Sequence, residues 1–220
     1  MVMNTSREYP NGSRCYSGKY HDGYAVYFYD DSPDGRIYDG KFWFSRTYFT
    51  VPKGKVTETA QGLFNSGTKE GLWTFCYKGH GINRRLTVQY SGGHRVGNYC
   101  YRSVCRARSL GFTKGEITVT GMMRNGHLIG DVRYEFNNET LTGRFDSEGR
   151  PDGTWTMDAT RSSSHRIVHE TWHHGECISS YAQDVTTGDR HNVRNNLPDI
   201  VTSTVYNECK PLEKIMKRGS

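Results

Sequence analysis

Two glycines spaced G-x-x-x-G, with a large apolar side chain two residues beyond the second, recur along this chain, and four copies are the clearest. The copies are Gly67–Gly71 with Trp73, Gly93–Gly97 with Tyr99, Gly126–Gly130 with Val132, and Gly149–Gly153 with Trp155. Their first glycines, at 67, 93, 126 and 149, are separated by steps of 26, 33 and 23 residues. A recurring unit of this length is one supersecondary motif that buries its apolar face only against its neighbours. Weaker copies flank the four: Gly18-Lys-Tyr-His-Asp-Gly23, Ile37-Tyr-Asp-Gly40-Lys-Phe-Trp43, and Thr171-Trp-His-His-Gly175. Atypical end units are expected of a stacked array, whose ends face water.

The unit reads as a β-hairpin. After the second glycine of the first copy, Trp73, Phe75 and Tyr77 alternate with Leu72, Thr74, Cys76 and Lys78, the period-two signature of a half-buried strand. The strands on the other side of the turns alternate likewise: Leu86, Val88 and Tyr90, then Val119, Gly121 and Met123, then Leu141, Gly143 and Phe145. Between them lie Asn65-Ser-Gly67, Ser91-Gly-Gly93 and Asn125-Gly126, residues that accept the positive φ of tight hairpin turns. Gly121 and Gly143 fall on the apolar face inside strands, where a missing side chain leaves room for a neighbouring ring. Leu, Ile, Val and Phe make up only about 18% of the chain, below the usual share of a thick aliphatic core. The 15 Tyr, 9 Phe and 4 Trp compensate, since each ring buries roughly 150–250 Å². A thin, ring-based core disfavours α/β enzyme folds, whose central strands are continuous aliphatic runs. The expectation is an all-β chain: an elongated, twisted antiparallel sheet of five to seven stacked hairpins over residues 1–188, then a loop and a short C-terminal helix in 189–220.

This punctuation resembles the MORN repeat, most closely the variant form found in bacterial proteins, over roughly residues 60–176 with weaker echoes from 16 to 50. The long step between the second and third copies implies an insertion around Cys105–Gly115. The resemblance implies a sheet of hairpins without an intrinsic catalytic centre, acting as a non-enzymatic scaffold for protein–protein interaction. It also allows an antitoxin-like binder that occludes one specific protein.

Charge is unevenly distributed. Residues 71–115 contain no Asp or Glu, yet hold Lys78, Arg84, Arg85, Arg95, Arg102, Arg106, Arg108 and Lys114. Such a block on adjacent strands creates a local positive potential that attracts an acidic protein surface, or nucleic acid or anionic lipid as alternatives. Tyr99 and Tyr101 beside Arg102, Arg106 and Arg108 also suit stacking on single-stranded bases. A solvated face that keeps a glycine-rich array soluble explains the same charges. The aromatic residues Trp73, Phe75, Tyr77, Tyr99, Tyr101 and Trp155 are either an interaction surface, since Trp and Tyr dominate hot spots, or the core itself. The resemblance to MORN arrays also allows a homo-oligomer.

Other chemistry is poorly supported. His169, His173, His174 and Cys177 offer four zinc-type ligands, but strand alternation puts His169 and His173 on one face and His174 on the other face or in the turn, so no metal is expected. There is no G-x-S-x-G elbow and no Walker-type phosphate loop, and the glycines precede strands rather than helices. No enzyme activity and no cofactor are therefore expected. Asp199 reads as the N-cap of a helix starting at Ile200, with Pro211 breaking the run and Lys210, Lys214, Lys217 and Arg218 making its end basic. That helix is expected to cover an open sheet edge, or else to act as a detachable basic segment. The polar segment Met1–Gly12 lacks the apolar core of a secretory leader, and no window has 18 apolar residues. Together with scattered cysteines, these features give a cytoplasmic, reducing setting as the expectation.

Overall fold

The computed structural model describes residues 13–51, 54–106, 114–161, 164–193 and 195–215. Strands β1 (Arg14–Tyr20), β2 (Gly23–Ser32), β3 (Gly35–Thr50), β4 (Gly54–Asn65), β5 (Thr68–Gly79), β6 (Ile82–Ser91) and β7 (His94–Cys105) follow one another as hairpins. They continue as β8 (Gly115–Arg124), β9 (His127–Phe136), β10 (Glu139–Phe145), β11 (Pro151–Arg161), β12 (Ser164–His173), β13 (Glu176–Asp184) and β14 (Arg190–Asn192). All fourteen belong to one open sheet whose spatial order is the sequence order. The all-β meander of hairpins read from the sequence is the observed architecture, and its last strand lies just beyond residue 188.

The two glycines of the repeat have separate jobs, clearest in the first copy. Ser66 and Gly67 form the two-residue turn between β4 and β5, with φ of 47° and 80°. Two consecutive positive φ values match the right-handed twist of the strands they join. Gly71, at φ 63°, sits where the β4–β5 register shifts between Gln61 and Leu63, a bulge that bends the strand and increases its twist. The register also shifts in β6–β7, β8–β9 and β10–β11, where Gly97, Gly130 and Gly153 again have positive φ. Neighbouring turns are tied together: Gly67 N–H donates to Tyr38 O (2.8 Å), Gly93 N–H to Lys69 O (3.0 Å) and Gly126 N–H to Arg95 O (3.2 Å). Each hairpin is thereby fastened to the previous one at its turn as well as along its strand.

The fourth copy uses a longer turn built on Asp146. Its Oδ1 accepts the backbone N–H groups of Glu148 and Arg150, both at 2.9 Å, and its Oδ2 accepts Arg150 Nε at 2.9 Å. The Arg150 N–H above all, with the other donors, holds the Asp146 carboxyl well below the ordinary carboxylate range. Because the folded value is depressed, the stabilisation is complete above the unfolded value of about 3.9 and is lost only as pH falls through the lower folded value. In an NMR titration the Glu148 and Arg150 amides should therefore hold their shifts from pH 7 to below 4. A midpoint at the ordinary aspartate value would contradict this turn.

One face of the sheet carries the core. A row of cross-strand partners runs unbroken from β2 to β13: Ala25, Phe44, Ala60, Phe75, Leu86, Tyr101, Val119, Tyr134, Leu141, Met157, Val168 and Ala182. Most of these side chains are buried, and all the others pack against the buried ones. Beside this row, tyrosine and phenylalanine rings interlock in the early hairpins, with Tyr20 edge-on to Tyr27, Phe42 and Phe44 at 5.8–5.9 Å.

The C-terminal segment closes this face. Helix α1 (Leu197–Thr204), a π-helical turn (Val205–Cys209) and the single turn α2 (Lys210–Glu213) bury Leu197, Val201, Val205, Leu212 and, just beyond, Ile215 in the same core. At one end Leu197 N–H donates to Glu170 Oε2 on β12 at 2.8 Å. At the other, Tyr90 OH on β6 donates to Glu213 Oε1 at 2.9 Å, and Arg95 on β7 pairs with the same carboxylate. A helix of 17 residues spans about 25 Å, whereas six strand intervals of about 4.8 Å would span about 29 Å on a flat sheet. The segment therefore reaches across the sheet from β12 to β6, with the side chains of Glu170, Glu213 and Tyr90 making up the difference. Two expectations are corrected here. The helix covers the inner face and not a sheet edge, because that face is where an uncovered row of rings would otherwise meet water. It also begins at Leu197 and not Ile200: Pro198 is tolerated in a first turn, where its missing N–H has no helical partner anyway, and Asp199 lies inside that turn. The π-helical turn comes immediately before α2, which contains Pro211. Met216, Lys217 and Arg218 lie outside the described residues.

Candidate functional site

The rings singled out in the sequence lie inside. Trp73, Phe75, Tyr101 and Trp155 are 0% exposed, Tyr99 is buried, and Tyr77 is half-buried. Trp73 Nε1 donates to Leu63 O at 2.9 Å, and its indole lies 5.7 Å from Phe75 and 6.0 Å from Phe42. Of the two readings open to these residues, the structure places them in the core, where they pack in one cluster with the buried side chains of the Leu197–Ile215 segment.

Strand alternation divides the basic block between the two faces. Arg84 and Arg95 point inward: Arg84 lies 5.8 Å from the Tyr77 ring, and Arg95 is committed to Glu213. Arg85 and Arg102 stand opposite each other on the outer face. Arg102 Nε donates to Glu116 Oε1 at 2.5 Å and holds that carboxyl below its ordinary range. Arg108 lies outside the described residues. The block is contiguous in sequence but is not one surface.

Lys78 and Arg106 do come together, at the end of the sheet where β3 turns into β4 and β5 into β6. With Lys55, Thr57, His80 and Asn83 they line a recess of about 540 Å³. Its position follows from local geometry. His80 and Gly81, at φ 53° and 75°, make the tight β5–β6 turn. The His80 ring is pinned through both nitrogens, Nδ1 to Tyr77 OH at 2.9 Å and Nε2 to Thr50 Oγ1 at 2.7 Å. Arg106 N–H donates to Gly81 O at 2.9 Å, which fastens the chain leaving β7 beside that turn. Lys55 enters through the neighbouring strand, because Thr57 on β4 pairs with Lys78 on β5. Among the described residues no carboxylate lines the recess. Three cations around a partly walled depression focus positive potential there.

Two polar features escaped the sequence reading. Arg46 and Glu58 form a buried ion pair on the inner face, with Arg46 Nε 2.5 Å from Glu58 Oε2 and a second pairing to Asp22. Burial opposes the Arg46 charge, and the bonds to Glu58 and Asp22 more than offset it. The pair joins residues twelve apart in the β3–β4 register, and no local motif marks it. Glu170 is the second feature: it is buried, and besides Leu197 it accepts Trp172 Nε1 at 3.0 Å and Ser180 Oγ at 3.3 Å. Of the four zinc-type candidates, His173 and His174 lie with their rings 4.3 Å apart, and Cys177 Sγ donates to Ser179 O at 3.5 Å. His169 stacks on Tyr181 at 4.9 Å and His174 occupies the β12–β13 turn. Among the described residues no group of three or more His, Cys, Asp or Glu side chains is placed to hold a metal ion. No described helix is long and apolar enough to cross a membrane. Comparison of the sequence with protein-family models finds no match, and comparison with curated proteins finds none.

Proposed function

We propose that this chain is a non-enzymatic repeat scaffold that binds a protein partner carrying an acidic surface. The observation that carries this reading is the basic recess of Lys55, Lys78 and Arg106, open at one end of the sheet and lined by no described carboxylate. Its likeness to MORN-type arrays, in glycine spacing and ring placement, supports the same reading. Trp73, Phe75, Tyr99, Tyr101 and Trp155 belong to the core, so the partner meets the basic recess and its immediate surroundings rather than these rings. Free thiols on Cys76 and Cys100 suit a reducing, cytoplasmic setting.

An exposed electrostatic contact is screened over about 10 Å at 0.1 M salt. Affinity capture from lysate with the wild-type chain should therefore retain partners at low salt and release them at high salt. Lys78→Glu with Arg106→Glu should reduce capture at least about tenfold, as expected when two favourable rim charges become repulsive. Capture that is indifferent to both salt and charge reversal would refute the reading.

A further inference from the structure

We propose that the recess at the β3–β4, β5–β6 and β7 ends is a phosphate site that takes the monoester of a phosphorylated side chain on the partner. The partner's being a protein rests on the scaffold reading above, whereas the anion chemistry rests on the recess alone. Three separate segments supply its cations: Lys55 from β4, Lys78 from β5 and Arg106 from the chain leaving β7. A phosphate monoester carries close to two charges at pH 7 and three strong acceptor oxygens, so it gains more from three convergent cations than a carboxylate does. Arginine adds a planar fork that matches phosphate geometry. Thr57 and Asn83 contribute neutral donors to the same walls, and the Gly79-His80-Gly81 turn lets backbone approach closely.

Size and wall chemistry favour a side chain over a free ion. At about 540 Å³ the recess is roomier than phosphate alone, and Ile82 and Val104 give it an apolar side that suits an aliphatic stem. Beside it, Phe49 and Val51 are 76% and 98% exposed, an apolar ledge for flanking residues. A flat anionic membrane is a poorer match. The apolar ledge belongs to one hairpin, and the same end of the sheet presents exposed Asp189 after β13.

The test is an amide chemical-shift titration of the full chain at constant ionic strength with three probes: inorganic phosphate, the tripeptide acetyl-Ala-phosphoserine-Ala-amide, and its unphosphorylated form. Saturable shifts are expected at Lys78–Asn83 and Arg106, with the phosphotripeptide binding several-fold tighter than phosphate and the unphosphorylated form silent. Lys78→Met with Arg106→Met should weaken binding at least about tenfold, whereas Arg144→Met, an exposed cation at the opposite end of the hairpins, should leave it unchanged. Silence towards both phosphate probes, or equal weakening by Arg144→Met, overturns the site. Phosphate binding tighter than the phosphotripeptide assigns the recess to a free anion and overturns the side-chain proposal. Binding only to phosphatidylserine vesicles, with both soluble probes silent, places a membrane there instead and also overturns it. If the titration fails while charge reversal still abolishes partner capture, the phosphate proposal falls and the scaffold reading stands. The reverse pair of results removes the scaffold reading and leaves the phosphate site.

Discussion

Replacing Gly143 by alanine should destabilise the protein by about 3 kcal/mol, the upper part of the usual range for overpacking a close-packed core. A Cβ built at Gly143 would lie 2.0 Å from Trp155 Cδ2 and 2.3 Å from Cε3. Neither backbone nor indole can yield, since Trp155 is fully buried and Gly143 pairs with Val132 on β9. Gly62→Ala should behave alike, with its Cβ 2.2 Å from Trp73 Cδ2. The third copy supplies an internal control. There Val132 stands where the tryptophans stand elsewhere, and a Cβ at Gly121 would meet Leu128 and Val132 at 3.4 and 3.5 Å, ordinary contacts. Gly121→Ala should therefore be neutral or stabilising by up to about 1 kcal/mol, through reduced freedom of the unfolded chain. The second copy already follows this rule, pairing Val88 with Tyr99. Denaturant unfolding of the three variants decides the matter: equal losses at Gly143 and Gly121 would mean that the indoles do not fill the space over the glycines. Trp155→Val combined with Gly143→Ala should cost less than the sum of the two single losses, by the roughly 0.5–3 kcal/mol coupling typical of residues in contact.

The second large effect concerns the C-terminal segment. A chain ending at Asn196 would lose Leu197, Val201, Val205, Leu212 and Ile215, each at most 4% exposed. Each such aliphatic truncated in a core costs about 2–5 kcal/mol, and a domain has only about 5–15 kcal/mol in total. The shortened chain should lose its cooperative thermal transition, bind a hydrophobic dye and lose near-ultraviolet circular dichroism. Unaltered melting and no dye binding would show that the inner face does not need this cover.

What could be read in advance follows from how local each signal is. The turn at Ser66-Gly67 and the alternation of Trp73, Phe75 and Tyr77 lie within about a dozen residues, so the sequence pattern exposes them directly, whereas the bulge at Gly71 shows only in the β4–β5 register. The same locality revealed the space needed at Gly143. Whether Trp73 and Trp155 face water was not legible, because their cover arrives from residues 197–215, far along the chain. Helical periodicity in that cover is interrupted by the π-helical turn at Val205–Cys209, and Pro198 disguises its start. The basic block was legible as composition but not as a surface. Its residues alternate between faces, and Lys55, which joins Lys78 and Arg106 at the recess, comes from outside it through the β4–β5 register. The Arg46–Glu58 pair is hidden for the same reason: only the β3–β4 register brings the two together.

The most direct test of the whole account is a set of nuclear Overhauser contacts across the inner face in solution. The account predicts cross-strand contacts joining Phe75 to Leu86, Tyr101 to Val119 and Leu141 to Met157, together with contacts from the Leu197–Ile215 segment to both β5 and β11. Strand contacts between non-consecutive hairpins, or a C-terminal segment with no contacts to β5 and β11, would contradict it.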